Sequence, residues 1–135
     1  MLEPGIKNTI ELTVTRDKCA GALGSGDLDV FATPAMIALM EETAWKSLVP
    51  YLEPGESTVG TALEVRHLSA TPVGLKVRCE TELTEVDRRR LVFRVKVYDP
   101  FGLVGEGRHE RFVIQYEKFM KKVDEKRSAA ESAPN

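Results

Sequence analysis

The chain has 135 residues, 42% of them hydrophobic, enough to pack one domain around a core without disulfides or metal and too few for a second catalytic domain. With 19 basic and 21 acidic residues and a net charge of −2, nothing general draws it to nucleic acid or an anionic membrane surface, so an anionic ligand needs a local basic patch. No apolar run approaches the roughly 20 residues of a spanning helix, no secretory leader pattern opens the chain, and Cys19 and Cys79 lack a CxxC partner; the expectation is a soluble cytoplasmic protein with two unpaired thiols and no metal or redox cofactor.

From Asn8 to Thr15, Ile10, Leu12 and Val14 alternate with polar residues, the period of a half-buried strand. Glycines and aspartates between Gly21 and Asp29 break any period and read as a loop. Thr33-Pro34 then offers a helix start, the threonine as N-cap and the proline in the first turn, and the helix is expected to run to about Leu48, stopped by Pro50 and the Glu53-Pro54-Gly55 turn.

Four more strands follow, near Ser57 to His67, Gly74 to Val86, Leu91 to Asp99 and Leu103 to Tyr116, joined by turns short enough to make the later ones antiparallel neighbours. One apolar helix on a curled antiparallel sheet is the economical α+β arrangement of these parts, the hot-dog fold, with the sheet wrapped around one long central helix. The domain is expected to span residues 1–120. Beyond it, residues 121–135 are polar and read as a frayed or disordered tail.

On the helix, Ile37, Glu41 and Trp45 form a row beside the apolar stripe of Met36, Met40, Ala44 and Leu48, so Glu41 interrupts a covered surface; Ala38, Glu42 and Lys46 form an exposed row with an ordinary ion pair. A carboxylate there either finds a hydrogen-bonding partner or keeps its head in solvent at the edge of the stripe. In the second strand Leu63, Val65 and His67 point one way, placing the imidazole on the apolar face as a satisfied core residue or a proton carrier. Thr33 is explained as a cap without any function. Asp87-Arg88-Arg89-Arg90 is a solvated turn or a phosphate clamp, and His109 and Arg111, on one face of the last strand, line a site or face water.

Val30-Phe31-Ala32-Thr33, Leu39-Met40-Glu41, Pro50 to Glu56, Gly60-Thr61-Ala62, His67, Ala70-Thr71-Pro72, Gly74-Leu75, Arg89-Arg90-Leu91, His109-Glu110-Arg111 and Glu117-Lys118-Phe119, in this order, resemble the fluoroacetyl-CoA thioesterase family over roughly Leu28 to Phe119. The resemblance implies a homodimer, or a tetramer, with sites at the subunit interface and hydrolysis of an acyl-CoA thioester without a cofactor. It also implies that Thr33, Glu41 and His67 act as a hydroxyl, carboxylate and imidazole constellation, and that Gly60, Phe31, Arg111 and His109 bind substrate. Glu41 would be nucleophile or general base, His67 would assist proton transfer, and Gly60 would let the backbone approach the thioester carbonyl. The fluoroacetyl-specific enzyme carries phenylalanines as a lid before the helix, whereas Gly21 to Val30 has no aromatic residue; the expectation is therefore some other short or medium acyl group. The alternatives are a non-catalytic acyl-CoA binding or sensing domain using the same groove, an enoyl-thioester hydratase and an interaction module.

Overall fold

The computed structural model describes residues 1–132. In chain order these form strand β1 (Lys7–Thr13), a 3-10 turn at Arg16–Lys18, the short helix α1 (Ala20–Leu23), the long helix α2 (Thr33–Leu48) and strands β2 (Glu56–His67), β3 (Lys76–Asp87), β4 (Arg90–Asp99) and β5 (Gly102–Gln115), then helix α3 (Tyr116–Ser132). The sheet order is β1-β3-β4-β5-β2 and every pairing is antiparallel, leaving β1 and β2 as its edges. The strands curl about α2 in the hot-dog arrangement.

Alternation explains the layering. Val77, Cys79, Thr81 and Leu83 of β3 are buried while Lys76, Arg78 and Thr84 are exposed, so one face of the sheet carries the core. Onto that face α2 lays Met36, Met40, Ala44 and Leu48, each 0% exposed, and burying a methionine or leucine side chain contributes about 1.5–3 kcal/mol. Burial also pushes the Cys79 thiol up to about 11, so this cysteine serves packing rather than reactivity.

Two features of the fold position the site. Between Gly60 and Ala62 the register of β2 on β5 shifts by one residue, so Gly60 opposes Arg111 while Ala62 opposes Glu110. Simple alternation would put Gly60 on the face opposite His67; the bulge reverses the parity and turns both towards α2. Second, the segment leading into α2 is held from both sides, Phe31 N–H donating to the Thr71 carbonyl (2.8 Å) and Ala32 N–H to the Lys18 carbonyl (2.9 Å).

The segment expected to fray from residue 121 is helical as far as Ser132, and the last three positions of that expected tail lie outside the described residues. None of the helix's residues is buried. Lysine, glutamate and alanine are poor core formers but good helix formers, and the Asp124–Arg127 pair bridges adjacent turns.

Candidate active site

The hydroxyl of Thr33 and Nδ1 of His67 are 2.8 Å apart. Thr33 is therefore not the cap that its position suggested: Ala32 occupies the N-cap without a side-chain bond, Thr33 stands in the first turn, and its oxygen reaches across to the end of β2. Phe31, itself 1% exposed, meets the His67 ring edge-on at 6.4 Å between centroids. Among the described residues Nε2 of His67 is buried and has no hydrogen-bond partner. Burial holds the imidazole below its ordinary pKa of 6.5, with the Ser69 backbone acting weakly the other way, so the ring is neutral near pH 7 and one nitrogen remains available to move a proton.

Glu41 lies elsewhere. Its side chain is 40% exposed at the edge of the apolar stripe, so it keeps access to water, and Oε2 is 3.6 Å from Nη1 of Arg111. A β-carbon placed on Gly60 would sit 2.8 Å from that same oxygen, so the absence of a side chain is what lets the carboxylate lie against β2. Along α2 the rise of about 1.5 Å per residue sets Thr33 and Glu41 roughly 12 Å apart. Within one chain the three expected catalytic residues thus form two groups, Thr33 with His67 and Glu41 with Gly60 and Arg111.

His109 and Arg111 do not face water: they are 0% and 6% exposed on the helix-facing side of β5. Arg111 donates through Nε to the Thr58 hydroxyl (2.9 Å) and through Nη2 to the Thr58 carbonyl (3.0 Å). Thr58 escaped the sequence reading, although the i, i+2 spacing to Gly60 puts both on one face of β2. A cleft of about 640 Å³ opens beside Arg111, walled by Trp45, Val49, Leu52 and Thr58. In the Arg88-Arg89-Arg90 turn, Arg88 and Arg89 are exposed and Arg90 is engaged by Glu85 and Glu110. Among the described residues no three His, Cys, Asp or Glu side chains come together as a metal site would require.

A neutral imidazole, a hydroxyl and a carboxylate lying against a glycine are the parts of acyl transfer to water. A family model described as "Fluoroacetyl-CoA-specific thioesterase" matches residues 14–117. The chain belongs to this thioesterase family. The fluoroacetyl-CoA thioesterase of Streptantibioticus cattleyicolor is 48% identical over 101 residues, spanning 75% of this chain and 73% of that protein. A Thr-to-Ser mutant of the thioesterase FlK solved in complex with acetyl-CoA superposes with a TM-score of 0.88 at 40% identity, covering 93% of this chain and 98% of its own. A Thermus thermophilus hypothetical protein described as a thioesterase superfamily member reaches 0.90 at 28% identity over 97% of each chain. The present thioesterase has no helix, among the described residues, long and apolar enough to cross a membrane.

Proposed function

We propose that this thioesterase works in the cytoplasm as a homodimer and hydrolyses a short or medium acyl-CoA to free acid and CoA without a cofactor and without selectivity for the fluoroacetyl group. The observation that carries the reading is the division of the reacting groups: His67 with its available Nε2 stands at one end of α2 and the Glu41 carboxylate against Gly60 stands about 12 Å along it. Strand β2 runs past both and is an edge of the sheet. An edge of twelve residues is a template for a second strand, and a second copy pairing antiparallel across it about a two-fold axis would bring the His67 end of one chain to the Glu41 end of the other.

In that arrangement Glu41 of one subunit either attacks the thioester carbonyl, giving an anhydride that water then hydrolyses to free the carboxylate again, or draws a proton from the water that attacks it; on either route the carbon–sulfur bond breaks and CoA leaves as the thiolate. His67 of the other subunit, its Nδ1 held by Thr33, takes up at Nε2 a proton released by the reacting water and passes it to the thiolate, returning to the neutral ring. Gly60 and Arg111 border the acyl group, and Phe31 backs the imidazole. The end of α1 and the loop that leads to α2 present Leu23 and Leu28, 47% and 64% exposed, in place of aromatic side chains, which supports a wider acyl range.

Thiol release is measured over acyl-CoAs from acetyl and fluoroacetyl to medium-chain and phenylacetyl, with wild type and Glu41→Gln side by side; Glu41-dependent release is expected, and binding without release would favour a sensing domain. Shared sites are tested by mixing Glu41→Gln and His67→Asn chains, each inactive alone, and allowing exchange. Half of the dimers are then mixed and each rebuilds one intact site of two, so activity returns to about a quarter of wild type. No recovery would place each site within one chain.

A further inference from the structure

His109 is fully buried, so it cannot meet a substrate in the chain as folded, yet every polar atom of its ring is engaged. Nδ1 lies 3.0 Å from the carbonyl oxygen of Ala62 and Nε2 lies 3.2 Å from Nη1 of Arg111. A carbonyl only accepts and a guanidinium only donates, so these neighbours dictate the proton's place: Nδ1 carries it and donates to Ala62, and Nε2 offers its lone pair to Arg111. The ring lies stacked against Phe93, with centroids 6.2 Å apart and an interplanar angle of 30°, which fixes its plane.

Ala62 is the first residue after the bulge in β2, and Arg111 is the cation whose Nη1 faces Glu41 at 3.6 Å. The three donor nitrogens of Arg111 are thereby distributed: Nε and Nη2 on Thr58, and Nη1 between His109 and the carboxylate. From this geometry we infer that His109 is a positioning residue, which pins the bulge through Ala62 and, through its Nε2 lone pair, sets the guanidinium of Arg111 so that it holds Glu41 in its reactive place. The inference rests on the reading of Glu41 as the reacting carboxylate.

The chain of bonds needs a neutral ring. A second proton on Nε2 would oppose an N–H of Arg111 and put two cations in contact; burial and Arg111 oppose that proton and prevail, while the bond to the Ala62 carbonyl, Glu41 and Glu110 favour it. Substitution separates the two bonds, because the amide nitrogen of asparagine can replace Nδ1 while the amide oxygen of glutamine can replace the Nε2 acceptor. His109→Asn keeps the tie to the bulge and leaves Arg111 without its acceptor; kcat is expected to fall on the order of 10- to 100-fold, with KM changed less than about twofold. His109→Gln restores the acceptor and is expected to recover most of that loss.

The direct measurement is the long-range ¹H–¹⁵N spectrum of the imidazoles in the full chain, with His67→Asn identifying which of the two histidines is which. The expected signature for His109 at pH 7 is the neutral Nδ1–H tautomer. An Nε2–H tautomer or an imidazolium would overturn the inference, as would full turnover in His109→Asn or an equal loss in both variants. Glu41→Gln run alongside keeps the two readings apart: if it stays active both fall, and if it is inactive while His109→Asn is not, only the role of His109 falls.

Discussion

A methyl group on Gly60 would meet Oε2 of Glu41 at 2.8 Å and Cε1 of His109 at 3.3 Å. The first of these is the far end of a side chain that can swing away, so Gly60→Ala is expected to leave the urea midpoint within what about 1 kcal/mol of stability would shift, while kcat falls on the order of 100-fold because the carboxylate is displaced. Unfolding curves and steady-state rates on the same preparation check this; unchanged turnover would mean that the carboxylate does not work against Gly60. The place of Glu41 could be read beforehand, because a charged residue in the Ile37–Trp45 row has to lie beside the apolar stripe. Its partner could not, since Arg111 is 70 positions away and alternation says only that it shares a face with His109. Thr33 misled for a related reason: capping is a local signal, and its actual partner, His67, is 34 residues downstream.

Between elements, β5 passes tightly against β2 at Gly107. A β-carbon there would collide with the Glu64 carbonyl oxygen and lie 2.6 Å from Cα of Val65, both backbone atoms that cannot rotate aside. Gly107→Ala is therefore expected to destabilise the fold by about 1–3 kcal/mol, read as a lower urea midpoint, in contrast to Gly60→Ala. Strands β3 and β4 were legible because apolar residues recur at alternate positions over most of their length, Val77, Cys79 and Leu83 in one and Leu91, Phe93, Val95 and Val97 in the other, and α2 because proline and glycine bracket it. The bulge was not legible, since a period of two carries no mark of an added residue until the register with a partner strand is known. Helix α3 was missed because low hydrophobicity was read as disorder, although lysine, glutamate and alanine also favour a solvated helix.

At the scale of the whole molecule, the two imidazoles couple stability to acidity. Burial lowers the pKa of both His67 and His109 from the 6.5 expected of the unfolded chain. Between the lowered values and 6.5 the unfolded state binds more protons than the native one, so stability rises with pH across that window and is lost as pH falls through it. Thermal unfolding is expected at lower temperature at pH 5 than at pH 7.5, and the His67→Asn, His109→Gln double variant should show a flatter dependence. An equal slope in both would assign the acid sensitivity to carboxylates such as Glu110, which Arg90 and Arg108 hold low.

The bulge at Thr61 also bears on how this gene can change. It works as a phase shift: one added residue brings Gly60 and His67, seven positions apart, onto the same side of a structure that repeats every two. Loss of a single codon between them would keep the reading frame and remove the bulge together with the residue it accommodates, leaving a regular strand in which the two, now six apart, still share a side. Among descendants that keep the chemistry, the spacing from Gly60 to His67 and the bulge should therefore change together, seven positions with it and six without.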